Sequence, residues 1–201
     1  MAQFITRTNN KFENKTTTEA TPFLMSKEGK TRWFFNLRHI STPDIDDLVI
    51  DVRYLAPDWF FLTNGEMILN IDGIKNITLY PHESFHDVGQ EQGAFERDST
   101  TICEEDCYYN ITKEEFAEIC ESKQLDIQVS GRSKKKTLNG NLFRLYCQAF
   151  YNYFYDGSKY KDALSEYTRF KNLWKKRLVT MWSIILALVI VFNLISYFVS
   201  Q

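Results

Sequence analysis

The sequence predicts an α+β protein: a mostly antiparallel, β-rich soluble domain packed with helices, then a helical stem and one C-terminal transmembrane helix. Three observations predict this fold class. Apolar residues alternate in the first half of the chain, helix signals follow in the second half, and residues 178–199 form an uncharged apolar run. We therefore divide the chain into a flexible N-terminal arm (1–30), a cytoplasmic β-rich domain (31–157), an amphipathic helical stem (158–177) and a transmembrane anchor (178–199).

The first part of the chain changes from polar to alternating sequence. Residues 1–30 are rich in Thr, Asn and Lys and contain Pro22 and Gly29, which favours a mobile arm. Period-two alternation then predicts two half-buried strands. The residues that alternate are Trp33, Phe35 and Leu37 in the first strand and Leu48, Ile50, Val52 and Tyr54 in the second.

Two dipeptides predict a three-stranded meander over residues 59–80. Asn64-Gly65 and Asp72-Gly73 are typical of two-residue turns with positive φ, and each lies between strand-like runs. The predicted strands are 59–63, 66–71 and 74–80. Residues 81–104 are charged and contain two glycines, which indicates a long irregular loop.

The second half of the domain shows helix signals around one more strand. Thr112 and Glu115 form a capping box that opens a predicted helix over 113–122. Alternation at Leu125, Ile127 and Val129 predicts a strand, and Gly131–Gly140 is a polar turn region. The apolar run 142–155 is too long for one strand and favours a helix.

The stem carries an apolar stripe that something must cover. The stripe comprises Tyr160, Ala163, Leu164, Tyr167, Phe170 and Trp174. Its cover is the domain's own sheet, the membrane surface or a second copy. Asn193 lies inside the anchor, where an amide seeks a hydrogen-bonding partner, or is a single tolerated polar residue. We predict a weak homo-oligomer with contacts at Tyr167 and Asn193.

Residues 178–199 predict a single membrane span. Twenty-two helical residues rise about 33 Å, against a hydrocarbon core of roughly 30 Å. A buried core helix is the alternative, but it rarely lacks polar residues over this length. The predicted membrane-interface residues are Trp174, Lys175, Lys176, Arg177, Trp182 and Tyr197.

The charges around this span predict its orientation. Basic residues precede the span, and Met1–Thr18 has too little apolar content for a signal peptide, so we expect a tail-anchored protein with a cytoplasmic domain. The sequons at Asn14, Asn76 and Asn110 should then be unused and the four cysteines reduced.

The distribution of charge along the chain indicates which classes of partner to expect. Residues 1–158 carry 17 Lys and Arg against 24 Asp and Glu, a net charge of −7, whereas residues 159–201 carry 7 against 2, a net charge of +5. An acidic domain on a basic stem does not suit nucleic-acid binding. The expected partners are the lipid bilayer, an unidentified protein and a second copy.

One motif matches a zinc hydrolase. His82-Glu83-Ser84-Phe85-His86 fits H-E-x-x-H, in which a helix presents both imidazoles to zinc and the glutamate acts as general base. A third ligand is missing, since Gln92 stands where a third histidine would fall. A chance match in a loop is the competing interpretation.

Two further clusters give weaker evidence for a binding site. Cys103, Cys107, Cys120 and Cys147 could supply four zinc ligands, but their spacing is wide, and buried cysteines commonly act as small apolar residues. Arg132, Lys134, Lys135 and Lys136 form a basic cluster that suits an anionic ligand or a solvated hairpin tip.

The sequence therefore predicts a membrane-tethered, non-catalytic binding or interaction module without a cofactor. The first alternative is an oligomerising membrane effector, such as a pore-forming or membrane-perturbing protein. The second alternative is the zinc hydrolase.

Overall fold

The computed structural model describes residues 4–91, 100–154, 159–160, 162–169 and 172, which form two antiparallel sheets and associated helices. Within these ranges lie eleven strands, a short 3₁₀ helix (Leu62–Asn64) and two longer helices, with residues 163–169 also helical. The strands are β1 (Ile5–Asn10), β2 (Lys15–Ala20), β3 (Phe23–Glu28), β4 (Thr31–Ser41), β5 (Asp46–Ala56), β6 (Met67–Ile71), β7 (Lys75–Leu79), β8 (Pro81–Glu91), β9 (Thr100–Ile111), β10 (Leu125–Ser130) and β11 (Lys135–Asn139). The longer helices are α1 (Lys113–Glu121) and α2 (Asn141–Phe154).

Neighbouring strands pair antiparallel throughout both sheets. The large sheet has the order β1-β2-β4-β5-β9-β8, and β3 also pairs with β4. β2 pairs with the end of β4 and β3 with its beginning, so the break at Thr21-Pro22 lets two short strands share one long neighbour. The small sheet has the order β11-β10-β6-β7. The predicted antiparallel, β-rich fold class is confirmed for the described residues.

One hydrophobic cluster joins both sheets and both longer helices. The alternation predicted in β4 and β5 is confirmed, because Phe35, Ile50 and Val52 are fully buried. The predicted capping box also forms: Thr112 accepts the Glu115 amide, and the Glu115 carboxylate accepts the Thr112 amide. The predicted strand at 125–129 and the helix at 142–155 correspond to β10 and α2.

The predicted flexible arm over residues 1–30 is wrong. Residues 5–28 form β1, β2 and β3, so the β-rich domain begins well before residue 31. Ile5, Ala20 and Phe23 are buried in the core cluster. The threonines that suggested mobility instead suit strands, because β-branched side chains pack well on a pleated surface.

The predicted meander is correct in its second turn only. β6 and β7 form a hairpin at Asp72-Gly73, where both residues have positive φ. Residues 59–63 are not a strand, and Gly65 has a φ of −129°, so the Asn64-Gly65 turn is absent. The loop predicted over 81–104 is also wrong, because β8 and the start of β9 lie within it.

The predicted anchor, residues 178–199, lies outside the described residues. Within the part of the chain that is described, no helix has the length and apolar character needed to cross a membrane.

Candidate functional site

A groove of about 380 Å³ lies where residues from both sheets meet. Buried aromatic rings form its floor, and polar side chains from the β3–β4 turn and the β10–β11 hairpin form its rim. The floor residues are Trp33, Tyr54 and Phe60, and the rim residues are Glu28, Thr31, Lys134, Lys135 and Lys136. The groove therefore combines an apolar base with a mainly basic edge.

The floor is a packed aromatic cluster. Trp33 and Tyr54 are register partners on β4 and β5, with ring centroids 4.7 Å apart. Phe60 meets the Trp33 ring edge-on at 4.9 Å, with an interplanar angle of 88°. Edge-to-face contacts of this kind favour defined ring orientations. Burial raises the pKa of Tyr54 to about 12, so its hydroxyl stays protonated at neutral pH.

Glu105 binds the loop that contains the groove residue Phe60. Its carboxylate is fully buried and accepts the backbone N–H groups of Phe60 at 2.5 Å, Phe61 at 3.0 Å and Leu62 at 2.7 Å. Three donors compensate for much of the cost of burying a charge. Sequence reasoning missed Glu105, because it lies in the run Glu104-Glu105-Asp106, which has the character of a solvated acidic surface.

The rim contains three of the four predicted anion-binding residues. Lys134 pairs with Asp58 and also donates to the Trp59 carbonyl at 3.3 Å, and Lys136 lies 2.5 Å from Glu28. The hydrogen bond from Lys134 lowers the pKa of Asp58. Arg132 is not among the groove residues. Two of the lysines thus already face carboxylates, so the rim carries less net positive charge than the basic cluster in the sequence suggests. Exposed ion pairs nevertheless exchange readily with other partners.

A second polar cluster lies on the opposite face of the large sheet. The Arg38 guanidinium lies 2.7 Å from Asp51 and 3.1 Å from Glu19, and it covers the Tyr108 ring at 5.0 Å. Burial raises the pKa of Asp51 to about 6, although Arg38 acts in the opposite direction. No motif in the sequence indicates this cluster, since its members come from four separate strands. Its cross-strand pairs stabilise the register of β2, β4 and β5.

The H-E-x-x-H motif lies on a strand and not on a helix. His82, Glu83 and His86 belong to β8. Residues four apart along a strand are separated by about 13 Å, whereas one helical turn brings them within roughly 6 Å. The His86 ring instead contacts Trp59 at 5.8 Å. The geometry that the zinc-hydrolase alternative requires is absent from β8, and no metal-binding group of three or more His, Cys, Asp or Glu occurs among the described residues.

The four cysteines are free and buried. Cys103 and Cys107 lie on β9, Cys120 on α1 and Cys147 on α2. Burial raises the pKa of Cys107 to about 11, which keeps it a neutral thiol. All four therefore act as small apolar side chains in this structure.

Tyr167 lies in the domain's own core, which contradicts its predicted role as an oligomer contact. It is 4% exposed, and its ring lies 5.5 Å from Tyr146, 5.9 Å from Phe4 and 6.0 Å from Phe23. This part of the stem stripe is thus covered by the chain itself. The other predicted membrane and oligomer residues lie outside the described residues: Trp174, Lys175, Lys176, Arg177, Trp182, Asn193 and Tyr197.

Comparisons of the chain with protein-family models, with curated proteins and with solved structures give no match.

Proposed function

We propose that the chain is a single-pass membrane protein whose β-rich domain lies in the cytoplasm and acts as a non-catalytic binding module. The uncharged run 178–199 supports a membrane span, and the basic residues before it support a cytoplasmic domain. The partners in this proposal are the lipid bilayer and a cytoplasmic or membrane protein.

The groove is the observation that carries the binding function. Ligand sites are commonly concave, with an apolar lining and a few polar groups that fix orientation. The groove has both features, since Trp33 and Phe60 supply a packed floor and Lys135 adds positive charge at the rim. Its residues include neither Cys nor His, and its carboxylate, Glu28, is paired with Lys136. This composition favours binding over catalysis.

The ligand that fits best is a protein segment with an apolar or aromatic side chain next to an acidic group. The apolar side chain would contact the aromatic floor. The acidic group would meet Lys135 and exchange with the carboxylates now facing Lys134 and Lys136. Such exchange costs little where ion pairs are exposed to water.

Affinity capture from membranes tests this function. The intact chain is compared with a chain lacking residues 178–201 and with the double variant Lys134→Glu, Lys135→Glu. Lys123→Glu is the control, since Lys123 is exposed and is not a groove residue. A partner retained by the control and lost from the double variant is expected. Capture of the same proteins by all full-length forms would contradict a role for the groove.

Orientation has its own test. Protease added to the cytoplasmic side of sealed vesicles should digest the domain, because the basic flank keeps it on that side. A glycan on Asn76 or Asn110 would reverse the proposed orientation.

A weak homo-oligomer through Asn193 belongs to the same proposal. Interhelical hydrogen bonds in a bilayer contribute roughly 0.6–2 kcal/mol, which suits a weak association. Crosslinking in native membranes should give species larger than a monomer, and Asn193→Leu should reduce them. A monomeric wild type would remove this element and leave the binding function unaffected.

A further inference from the structure

β8 is a long strand with one open edge. It has 11 residues and lies at the end of the large sheet, paired with β9. No other strand among the described residues pairs with its second edge. Such an edge presents unpaired N–H and C=O groups that can accept a further strand.

The other edge strands of the described domain are protected in the usual way. β1, β3, β7 and β11 have only five or six residues, and each carries a basic side chain: Arg7, Lys27, Lys75 and Lys135, respectively. Short length and lysine are common devices against unwanted strand pairing. β8 is about twice as long and contains no Lys or Arg.

The surface around β8 is acidic. β8 contains three Asp or Glu and no Lys or Arg. β9 contains three more acidic residues, of which Glu105 is fully buried. All three carboxylates on β9 are occupied, because Glu105 binds the loop amides and Arg53 lies 3.3 Å from Glu104 and 2.8 Å from Asp106. Glu83 and Asp87 are exposed on β8 itself, and the Asp87 carboxylate accepts the neighbouring Val88 N–H at 2.7 Å.

Apolar side chains accompany these carboxylates. Phe85 lies between Glu83 and Asp87 on one face of β8, and Val88 lies on the other face; both apolar side chains are 56% exposed. An added strand with basic residues on the face of Glu83 and Asp87 and apolar residues on the face of Val88 would complement both faces of β8.

We propose that β8 binds an extended, basic segment of a partner protein as an added antiparallel strand. The main-chain ladder supplies affinity, and lysine or arginine opposite Glu83 and Asp87 supplies specificity. A second copy fits poorly, because pairing β8 with itself would bring acidic side chains together, and like charges opposite each other destabilise a sheet. This site is separate from the groove and does not depend on it.

A synthetic peptide tests the proposal directly. The probe is a fluorescein-labelled seven-residue peptide of alternating lysine and valine, which places its lysines on one face of a strand. Anisotropy measures its binding to the full chain in nanodiscs of zwitterionic phosphatidylcholine, with empty nanodiscs as the blank. Binding that weakens as salt increases is expected. Failure of the peptide to bind overturns the proposal.

Two modified peptides separate strand addition from simple charge attraction. Alternate backbone N–H groups of a strand point to opposite edges, so methylating the lysine nitrogens blocks one edge and methylating the valine nitrogens blocks the other. Only the edge facing β8 matters for antiparallel addition. One methylated peptide should therefore bind at least about tenfold more weakly than the other. Equal binding of both peptides overturns the proposal.

Variants of the chain locate the site. The double variant Glu83→Lys, Asp87→Lys should weaken binding of the unmodified peptide by about tenfold or more. The matched control, Glu13→Lys with Asp44→Lys, makes the same charge change at two exposed turn residues far from β8 in sequence and should bind like wild type. Equal weakening in both variants overturns the proposal. A wild-type dimer that only the β8 variant dissociates also overturns it, because a second copy would then occupy the edge.

Discussion

Replacing Gly65 with alanine should destabilise the domain strongly, for lack of space and not for lack of backbone freedom. Gly65 has extended backbone angles that any residue adopts. A Cβ atom there would lie 1.8 Å from the Ser130 carbonyl oxygen and 2.3 Å from the Ser130 carbonyl carbon. The two backbones are held together by the Ser130 N–H, which donates to the Glu66 carbonyl at 2.9 Å.

The size of the effect follows from these distances. Non-bonded heavy atoms rest at about 3.5 Å, so the chains would have to separate by more than about 1.5 Å. Losing the hydrogen bond from the Ser130 N–H to the Glu66 carbonyl costs about 1 kcal/mol, and forced repacking around the added methyl group costs about 1–3 kcal/mol. Gly65→Ala should therefore lower the free energy of unfolding by about 2–4 kcal/mol.

Two other glycines are matched controls. Gly73 has a φ of +71° and no atom within 4 Å of an added Cβ, so Gly73→Ala should cost only the backbone strain of about 1–2 kcal/mol. Gly89 has the same open space without positive φ, so Gly89→Ala should stay within about 0.5 kcal/mol of wild type.

Urea denaturation followed by tryptophan fluorescence measures all three variants in the same detergent. With a slope of about 2 kcal/mol per M, the midpoint should fall by about 1–2 M for Gly65→Ala and by less for Gly73→Ala. A Gly65→Ala midpoint equal to that of wild type, or above that of Gly73→Ala, would refute the close approach of the two backbones.

Four further predictions use the same preparation. Glu105→Gln should lower the unfolding free energy by about 2–3 kcal/mol, because an amide NH₂ would then face the loop N–H donors; an unchanged urea midpoint would contradict this. Asp51→Asn should alter the pH profile of stability. Burial raises the folded pKa of Asp51 from 3.8 to about 6, so the folded state holds its proton to higher pH than the unfolded state does. Wild type should therefore lose about 2 kcal/mol of unfolding free energy relative to the variant between pH 4 and pH 7. Parallel pH profiles of stability for wild type and Asp51→Asn would contradict the raised pKa of Asp51. The buried cysteines should all resist Ellman's reagent at pH 8 until the chain unfolds, and one fast-reacting thiol would show that a site is open. Tyr167→Glu should cost about 3 kcal/mol or more at every protein concentration, since it places a charge in the core; a change in oligomer size with unchanged stability would instead restore the contact between copies.

Local signals in the sequence predicted the elements that carry strong periodicity or a defined cap. β4 and β5 bury their large apolar side chains at alternate positions, which gives a readable period of two, and α1 begins with a capping box that needs only residues three apart. β1 and β2 bury few residues. They pair with each other, and β2 also pairs with the end of β4, which no local window contains. β8 also lacks a local signal, because its charged residues fit a solvent-exposed edge strand as well as they fit a loop.

The groove was predictable only in parts. The sequence shows Lys134–Lys136 as part of a basic cluster, and its alternation assigns Trp33 and Tyr54 to half-buried strands. Their meeting with Phe60 depends on Glu105, a residue far along the chain whose burial has no local signature. The carboxylates that pair with the lysines likewise come from distant segments, so the sequence overstated the positive charge of the rim.

The contact between the first strands and the last described helical residues limits when folding can finish. The Tyr146 hydroxyl donates to the Thr21 carbonyl across 125 residues of chain, and Phe4 reaches Tyr167 still further along. Closing so long a loop is slow, because its entropy cost precedes the contacts that repay it. During synthesis, the core-facing rings of Phe4 and Phe23 lack their contacts with Tyr146 and Tyr167 until those residues have left the ribosome. Final closure of the core therefore comes late, just ahead of the segment predicted to enter the membrane.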